Sequence, residues 1–260
     1  MIKNNPKILI PNFFTVLNIF VGLISIFYSL QGDFINAGWL ILLATVMDKL
    51  DGTAARFFNA SSLFGIEFDS FSDFISFGFA PAILVFSYFN MQTIPEDYLN
   101  GSNFYVVAAS AVYVVFCAIR LAKYNVNQSD DKDYFYGLTT TMSGALIALY
   151  LIFAIDCEVD YISNHLLKTD FVAGMLLIHS FLLVTPFKYP KLKKPASKNL
   201  QTLFVILFFT LVGLVVTRQL PWVLYLLSVG YVIIGTLKTK KAFALVDEEP
   251  EECEKKEGPE

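Results

Sequence analysis

The chain has 260 residues, of which 55% are hydrophobic and 16% charged, with a formal net charge of −4. A mean hydropathy of +0.57, carried by several long apolar runs, excludes an ordinary soluble domain and predicts an all-α, polytopic membrane bundle. Period-2 alternation is absent, which argues against a transmembrane barrel, and nothing in the charge pattern points to a nucleic-acid partner. The net charge itself misleads, because residues 247–260 hold eight acids against Lys255 and Lys256. Without that stretch the chain is slightly basic, with 17 basic and 15 acidic residues. Residues 242–260 are accordingly expected to form an acidic, disordered tail without chemistry.

In chain order, MIKNNPKILIPNFFT combines Lys3 and Lys7 with apolar residues and two prolines, and is expected to lie at the interface ahead of a first span over 13–30. The apolar run 8–30 is too long for a signal-peptide core and has no small-residue cleavage site, so it is expected to stay in the mature chain. Gln31-Gly32-Asp33 reads as a tight turn into a second span, 34–57. A polar connection, Asn59-Ala60-Ser61-Ser62, and a turn or close-packing position at Gly65 then lead to a third span, 67–89. Further spans are expected near 104–123, 139–155, 171–187, 200–217 and 222–237, eight in all.

Cys117, Cys157 and Cys253 fit neither a disulfide framework nor a metal site, and His165 and His179 are isolated. Basic residues favour alternate connections: Lys49 and Arg56; Arg120, Lys123 and Lys132; the lysines at 188, 191, 193, 194 and 198; and Lys238, Lys240 and Lys241. The positive-inside rule then predicts a cytoplasmic-membrane protein with both termini and the acidic ends of spans two and three in the cytoplasm.

Those acidic ends carry the chemistry. From Met47 to Gly78 the sequence reads MDKLDGTAARFFNASSLFGIEFDSFSDFISFG, with Asp48 and Asp51 spaced i, i+3 and Asp69 and Asp73 spaced i, i+4. On helices each pair shares a face. A carboxylate at membrane depth costs about 2.5–3.5 kcal/mol, and Lys49 and Arg56 cannot neutralise four of them. Divalent cations can, since Mg²⁺ and Mn²⁺ prefer carboxylate oxygens. One or two such ions between two helices would clamp phosphate oxygens, Gly52 and Ala55 would let a diphosphate approach, and Arg56 would pair with it. A carboxylate at the edge of the cluster would serve as general base for a hydroxyl. The alternative, acids that only cap helix ends, accounts for one or two of the four.

Written as a pattern, Asp48-x2-Asp51-Gly52-x2-Ala55-Arg56-x8-Gly65-x3-Asp69-x3-Asp73 resembles the signature of the CDP-alcohol phosphatidyltransferase family at every fixed position. The resemblance implies a six-helix catalytic core within 1–187, a cavity facing the cytosol with two divalent ions, and displacement of CMP from a CDP-linked lipid by an alcohol. By position it implies that Asp48, Asp51, Asp69 and Asp73 hold metal, that Asp73 is also the base, and that Asp48, Asp51, Gly52, Ala55 and Arg56, with Ser62 beside them, hold the CDP part.

Three further stretches resemble the serine-using branch of that family: Pro11-Asn12-x2-Thr15, the run from Glu67 to Ala82, and Arg120-Leu121-Ala122-Lys123-Tyr124-Asn125. They imply that Asn12 and Thr15 contact the cytidylyl group, that Arg120, Lys123 and Asn125 lie near the acceptor, and that the substrates are CDP-diacylglycerol and L-serine. Arg120 and Lys123 also fit ordinary positive-inside anchors. That branch continues Gly-Leu-Pro where this chain has Gly137-Leu138-Thr139. Residues 188–241 would add a basic, lipid-contacting loop and two accessory spans, and the family's habit implies a homodimer. Rival expectations are another acceptor, glycerol 3-phosphate or inositol phosphate, and, in a different class, a divalent-cation transporter.

Overall fold

The computed structural model describes residues 9–58, 60, 62–91, 102–126, 134–157, 166–185 and 188–190, with scattered positions between 210 and 233. The expected interfacial segment before residue 9, most of spans seven and eight, the basic loop beyond residue 190 and the acidic tail lie outside the described residues.

Helix α1, Leu9–Leu30, buries Pro11, Thr15, Asn18, Gly22, Ser25 and Ser29 along one face. The opposite face exposes Leu9, Phe13, Val16, Phe20, Leu23 and Phe27. Small and polar residues inside with phenylalanines outside is the reverse of a soluble helix; it suits lipid, where close packing and hydrogen bonds between helices replace the hydrophobic drive. The helix starts four residues earlier than expected. Pro11 causes no break, because its missing N–H is among the first-turn donors that have no intrahelical partner anyway.

Gly32, at φ 85°, closes the turn to α2, Phe34–Phe57, whose first turn Asp33 caps by accepting from Asn36 N. Ser25 Oγ donates to Ala37 O at 2.8 Å, one of the polar links in the extensive α1–α2 interface. Ser62 caps α3, Leu63–Asp73, by accepting from Gly65 N at 3.0 Å, so Gly65 lies in a first helical turn rather than in the connection.

α3 runs without a break through a π-helical stretch, Phe74–Phe79, into α4, Ala80–Met91. The sequence contains the cause. Pro81 has no N–H for the carbonyl of Phe77 four residues earlier, and the Tyr113 hydroxyl donates to that carbonyl at 2.8 Å instead. The widened turn follows directly on Asp73 and packs against α5, Ser102–Val126, and α6, Thr140–Asp156. α6 is buried nearly all round, as the central helix of a bundle should be. α7, Thr169–Val184, packs on α5.

Two three-residue strands, β1 at Tyr134–Tyr136 and β2 at Lys188–Pro190, pair antiparallel; the regular structure of the described residues is otherwise helical, as the sequence predicts. The turn after β1 carries Gly137 at φ 72°, with Leu138 N donating to Leu182 O at 2.9 Å. At Thr139 φ is −69°, a value a proline ring would also hold, and its side chain caps α6 by accepting from Met142 N. The departure from Gly-Leu-Pro therefore keeps the backbone and adds a cap.

Leu9–Leu30, Leu63–Met91 and Phe104–Val126 are long and apolar enough to cross a membrane. α6 and α7 are apolar but shorter, about 24–26 Å at 1.5 Å per residue.

Candidate active site

The last three turns of α2 and the whole of α3 both pack against α1, and this brings the acidic positions together. Asp48, Asp51 and Asp69 each offer a carboxylate oxygen, and these atoms all lie within 4.8 Å of one another. Asp73, one turn beyond Asp69, lies against Asp48. Asp51 is 5% exposed, and its Oδ2 accepts from Thr15 Oγ1 at 3.2 Å. Asp69 Oδ1 and Asp73 Oδ1 are buried without a hydrogen-bond partner among the described residues.

The cations among the described residues do not offset this charge. Lys49 reaches Asp48 at 3.8 Å with its side chain 63% exposed, which makes a weak, water-screened pair. Arg56 is exposed, with Nη2 3.4 Å from Thr53 Oγ1, and is not among the residues lining the cleft below. Arg120 is the buried cation among the described residues, and its Coulombic interaction is with Asp73. Clustered carboxylates with orphaned buried oxygens and one cation among four fit a hard divalent ion.

Beside the acids opens a cleft of about 110 Å³ lined by Pro11, Asn12, Thr15, Asp51, Gly52, Ala55, Ala60, Ser62, Gly65, Ile66 and Asp69. Of the residues expected to hold the CDP part, Asn12, Thr15, Asp51, Gly52, Ala55 and Ser62 all line it; Asp48 and Arg56 do not. A Cβ added at Gly52 would meet nothing within 4 Å, so the glycine leaves room in the cleft rather than satisfying a packing constraint. The Asn12 side chain lies over Gly65, with its Oδ1 3.6 Å from where a Cβ would be. Ser72 Oγ and Ser76 Oγ donate to the carbonyls of Thr15 and Asn18 at 3.3 and 3.0 Å, which fixes α1 against the aspartate-bearing helix.

The residues expected near the acceptor separate. Arg120 is buried at the end of α5 and donates through Nη1 to Thr140 Oγ1 at 2.7 Å. Lys123 is exposed. Asn125 joins α5 to α3, its Nδ2 lying 3.0 Å from Ser70 Oγ and 3.2 Å from Glu67 Oε2. Sequence reasoning missed Thr140 and Thr141, the second of which lies beside Asp48. The run of three threonines after Gly137-Leu138 is the only sequence signal, and it names no partner.

The CDP-alcohol phosphatidyltransferase model matches residues 8–183. The chain belongs to the CDP-alcohol phosphatidyltransferase family. The match runs from the start of α1 almost to the end of α7. Within the family the chain is 33% identical to the CDP-diacylglycerol–serine O-phosphatidyltransferase of Helicobacter pylori J99, over 90% of this chain and 92% of the relative. It is 30% identical to the enzyme of the same name from Bacillus subtilis, over 74% of this chain and 96% of the relative. An archaetidylserine synthase from Methanothermobacter thermautotrophicus is 29% identical over 71% of this chain and 70% of its own length.

Proposed function

We propose that this family member transfers the phosphatidyl group of CDP-diacylglycerol to L-serine, giving phosphatidylserine and CMP. The observation that carries the reading is the meeting of the Asp48, Asp51 and Asp69 oxygens within 4.8 Å beside a cleft lined by Asn12, Thr15, Gly52, Ala55 and Ser62. Serine as acceptor rests on the relatives' names, which share serine even where the lipid differs.

Asp48, Asp51, Asp69 and Asp73 would hold Mg²⁺ or Mn²⁺, two ions in this reading, with Arg120 as the remaining buried countercharge. When bound, such ions neutralise charge on phosphate oxygens and polarise the phosphorus under attack. The chain's residues do the rest. Asn12 and Thr15 take the cytidylyl end. Gly52 and Ala55 admit the diphosphate, which Arg56 and Ser62 flank. Asp73 removes the proton from the serine hydroxyl. That oxygen forms its bond to the phosphorus bearing diacylglycerol as the bond from phosphorus to the CMP oxygen breaks. Arg120 faces the serine carboxylate, with Lys123 and Asn125 on the same helix end.

The reading places the catalytic domain at 1–187 as a six-helix core in the cytoplasmic membrane, with its site and both termini in the cytoplasm. Residues 188–241 add a basic loop and two spans, 242–260 an acidic tail, and the working unit is a homodimer. Its test is CMP release by the purified chain with CDP-diacylglycerol, Mn²⁺ and one alcohol at a time. Release that depends on serine and stops with chelator is expected. Release with glycerol 3-phosphate or inositol phosphate alone would reassign the acceptor, and none with any alcohol would remove the transferase reading.

A further inference from the structure

Thr140 opens α6 and is fully buried. A guanidinium has five N–H donors. In Arg120 one goes to Thr140 Oγ1 at 2.7 Å, the Tyr124 ring lies 5.9 Å from the guanidinium carbon, and Nε is buried with no partner among the described residues. The cation also sits at the N-terminal end of a helix, where the dipole opposes it. What holds it there is the Thr140 hydroxyl together with the charge of Asp73.

The hydroxyl is itself held in place. Thr139 caps the same turn, and the preceding residue is tied to α7 through Leu138 N and Leu182 O at 2.9 Å. A fixed guanidinium with a spare donor beside a carboxylate base matches one class of acceptor, a small alcohol that also carries a carboxylate. We infer that Thr140 is a positioning residue: it fixes Arg120 for the acceptor's carboxylate and so helps to set acceptor choice. This rests on the reading of serine as the acceptor.

The test compares Thr140→Val, which keeps the shape and loses the hydroxyl, with Thr140→Ser, which keeps the hydroxyl. CMP release by the purified full chain is measured against L-serine and against ethanolamine, which has no carboxylate. Thr140→Val raises KM for serine about tenfold, and the serine-over-ethanolamine preference falls by a similar factor. KM for CDP-diacylglycerol stays within about twofold. Thr140→Ser restores most of both losses. The preference is a ratio within one preparation, so a smaller folded fraction leaves it unchanged. The inference is overturned by a Thr140→Val enzyme with unaltered serine KM and preference, by a serine variant as impaired as the valine one, or by an equal rise in KM for CDP-diacylglycerol. Unmutated protein without serine-dependent release overturns the acceptor reading and this inference together; serine-dependent release that Thr140→Val leaves intact overturns this inference alone.

Discussion

The two sides of the site are built differently. On the α1–α2–α3 side, four carboxylates come from one stretch of 26 residues and adjoin an open cleft of small and polar side chains. On the α5–α6 side, Arg120 comes from α5 and Thr140 and Thr141 from α6; all three are buried, and Arg120 is hydrogen-bonded to Thr140. The first side has buried carboxylate oxygens without a hydrogen-bond partner among the described residues, and in the proposed reading a ligand completes it. The second is held by protein hydrogen bonds, and in the same reading it orients the acceptor. Substitutions on the first side should therefore alter metal and CDP-lipid binding, whereas those on the second should alter acceptor handling. Asp73 lies where the two meet, facing Asp48 on one hand and Arg120 on the other.

The largest effect is expected at that junction. Asp73→Asn should lower turnover by about 10²–10⁴-fold, the usual range for a lost general base. CDP-diacylglycerol binding, read by equilibrium titration, should change far less. If binding and turnover fell together, Asp73 would belong to the cleft side alone and the proton would need another acceptor.

A second substitution separates two roles for one residue. Thr15 is expected from its sequence context to contact the cytidylyl group, yet its hydroxyl donates to Asp51. A group that orients a metal-binding carboxylate typically affects metal affinity by about 10–100-fold. Thr15→Val should thus weaken Mn²⁺ binding, measured directly by spin resonance of free and bound ion, by about tenfold. Loss of CMP affinity with Mn²⁺ binding intact would return Thr15 to the nucleotide.

The acid cluster was legible because charge inside an apolar run is anomalous and the i, i+3 and i, i+4 spacings place each pair on one face. The ends of the helices at the first six expected spans followed from apolar length, to within about four residues. Thr140 and Thr141 were not legible: a threonine in an apolar helix is unremarkable until the helix opposite is known. The same holds for Arg56, whose type suits phosphate but whose position on the last turn of α2 leaves it exposed. β1 and β2 are too short to show a period at all. The π-helical stretch was latent in Pro81, but that proline could equally have kinked the helix; the Tyr113 hydroxyl, 36 positions from the carbonyl it serves, marks the other outcome.

Two glycines bring the comparison down to single methyl groups. At Gly144 on α6 an added Cβ would lie 2.8 Å from both Cα and O of Phe77, backbone atoms of the π-helical stretch that cannot swing aside. At Gly52 on α2 the same methyl meets nothing within 4 Å. Gly144→Ala should therefore cost about 1–3 kcal/mol, the range for overpacking, seen as a lower unfolding midpoint in detergent. Gly52→Ala should leave the midpoint unchanged or raise it, since alanine is the better helix former by about 1 kcal/mol. Its penalty should fall instead on KM for CDP-diacylglycerol, because in the proposed reading the diphosphate approaches through the space the methyl would occupy. A Gly52→Ala enzyme with unaltered KM would mean the cleft is not the lipid's entry point. A Gly144→Ala protein with an unaltered midpoint would mean the α6 contact yields, and that the acceptor side is less fixed than its hydrogen bonds imply.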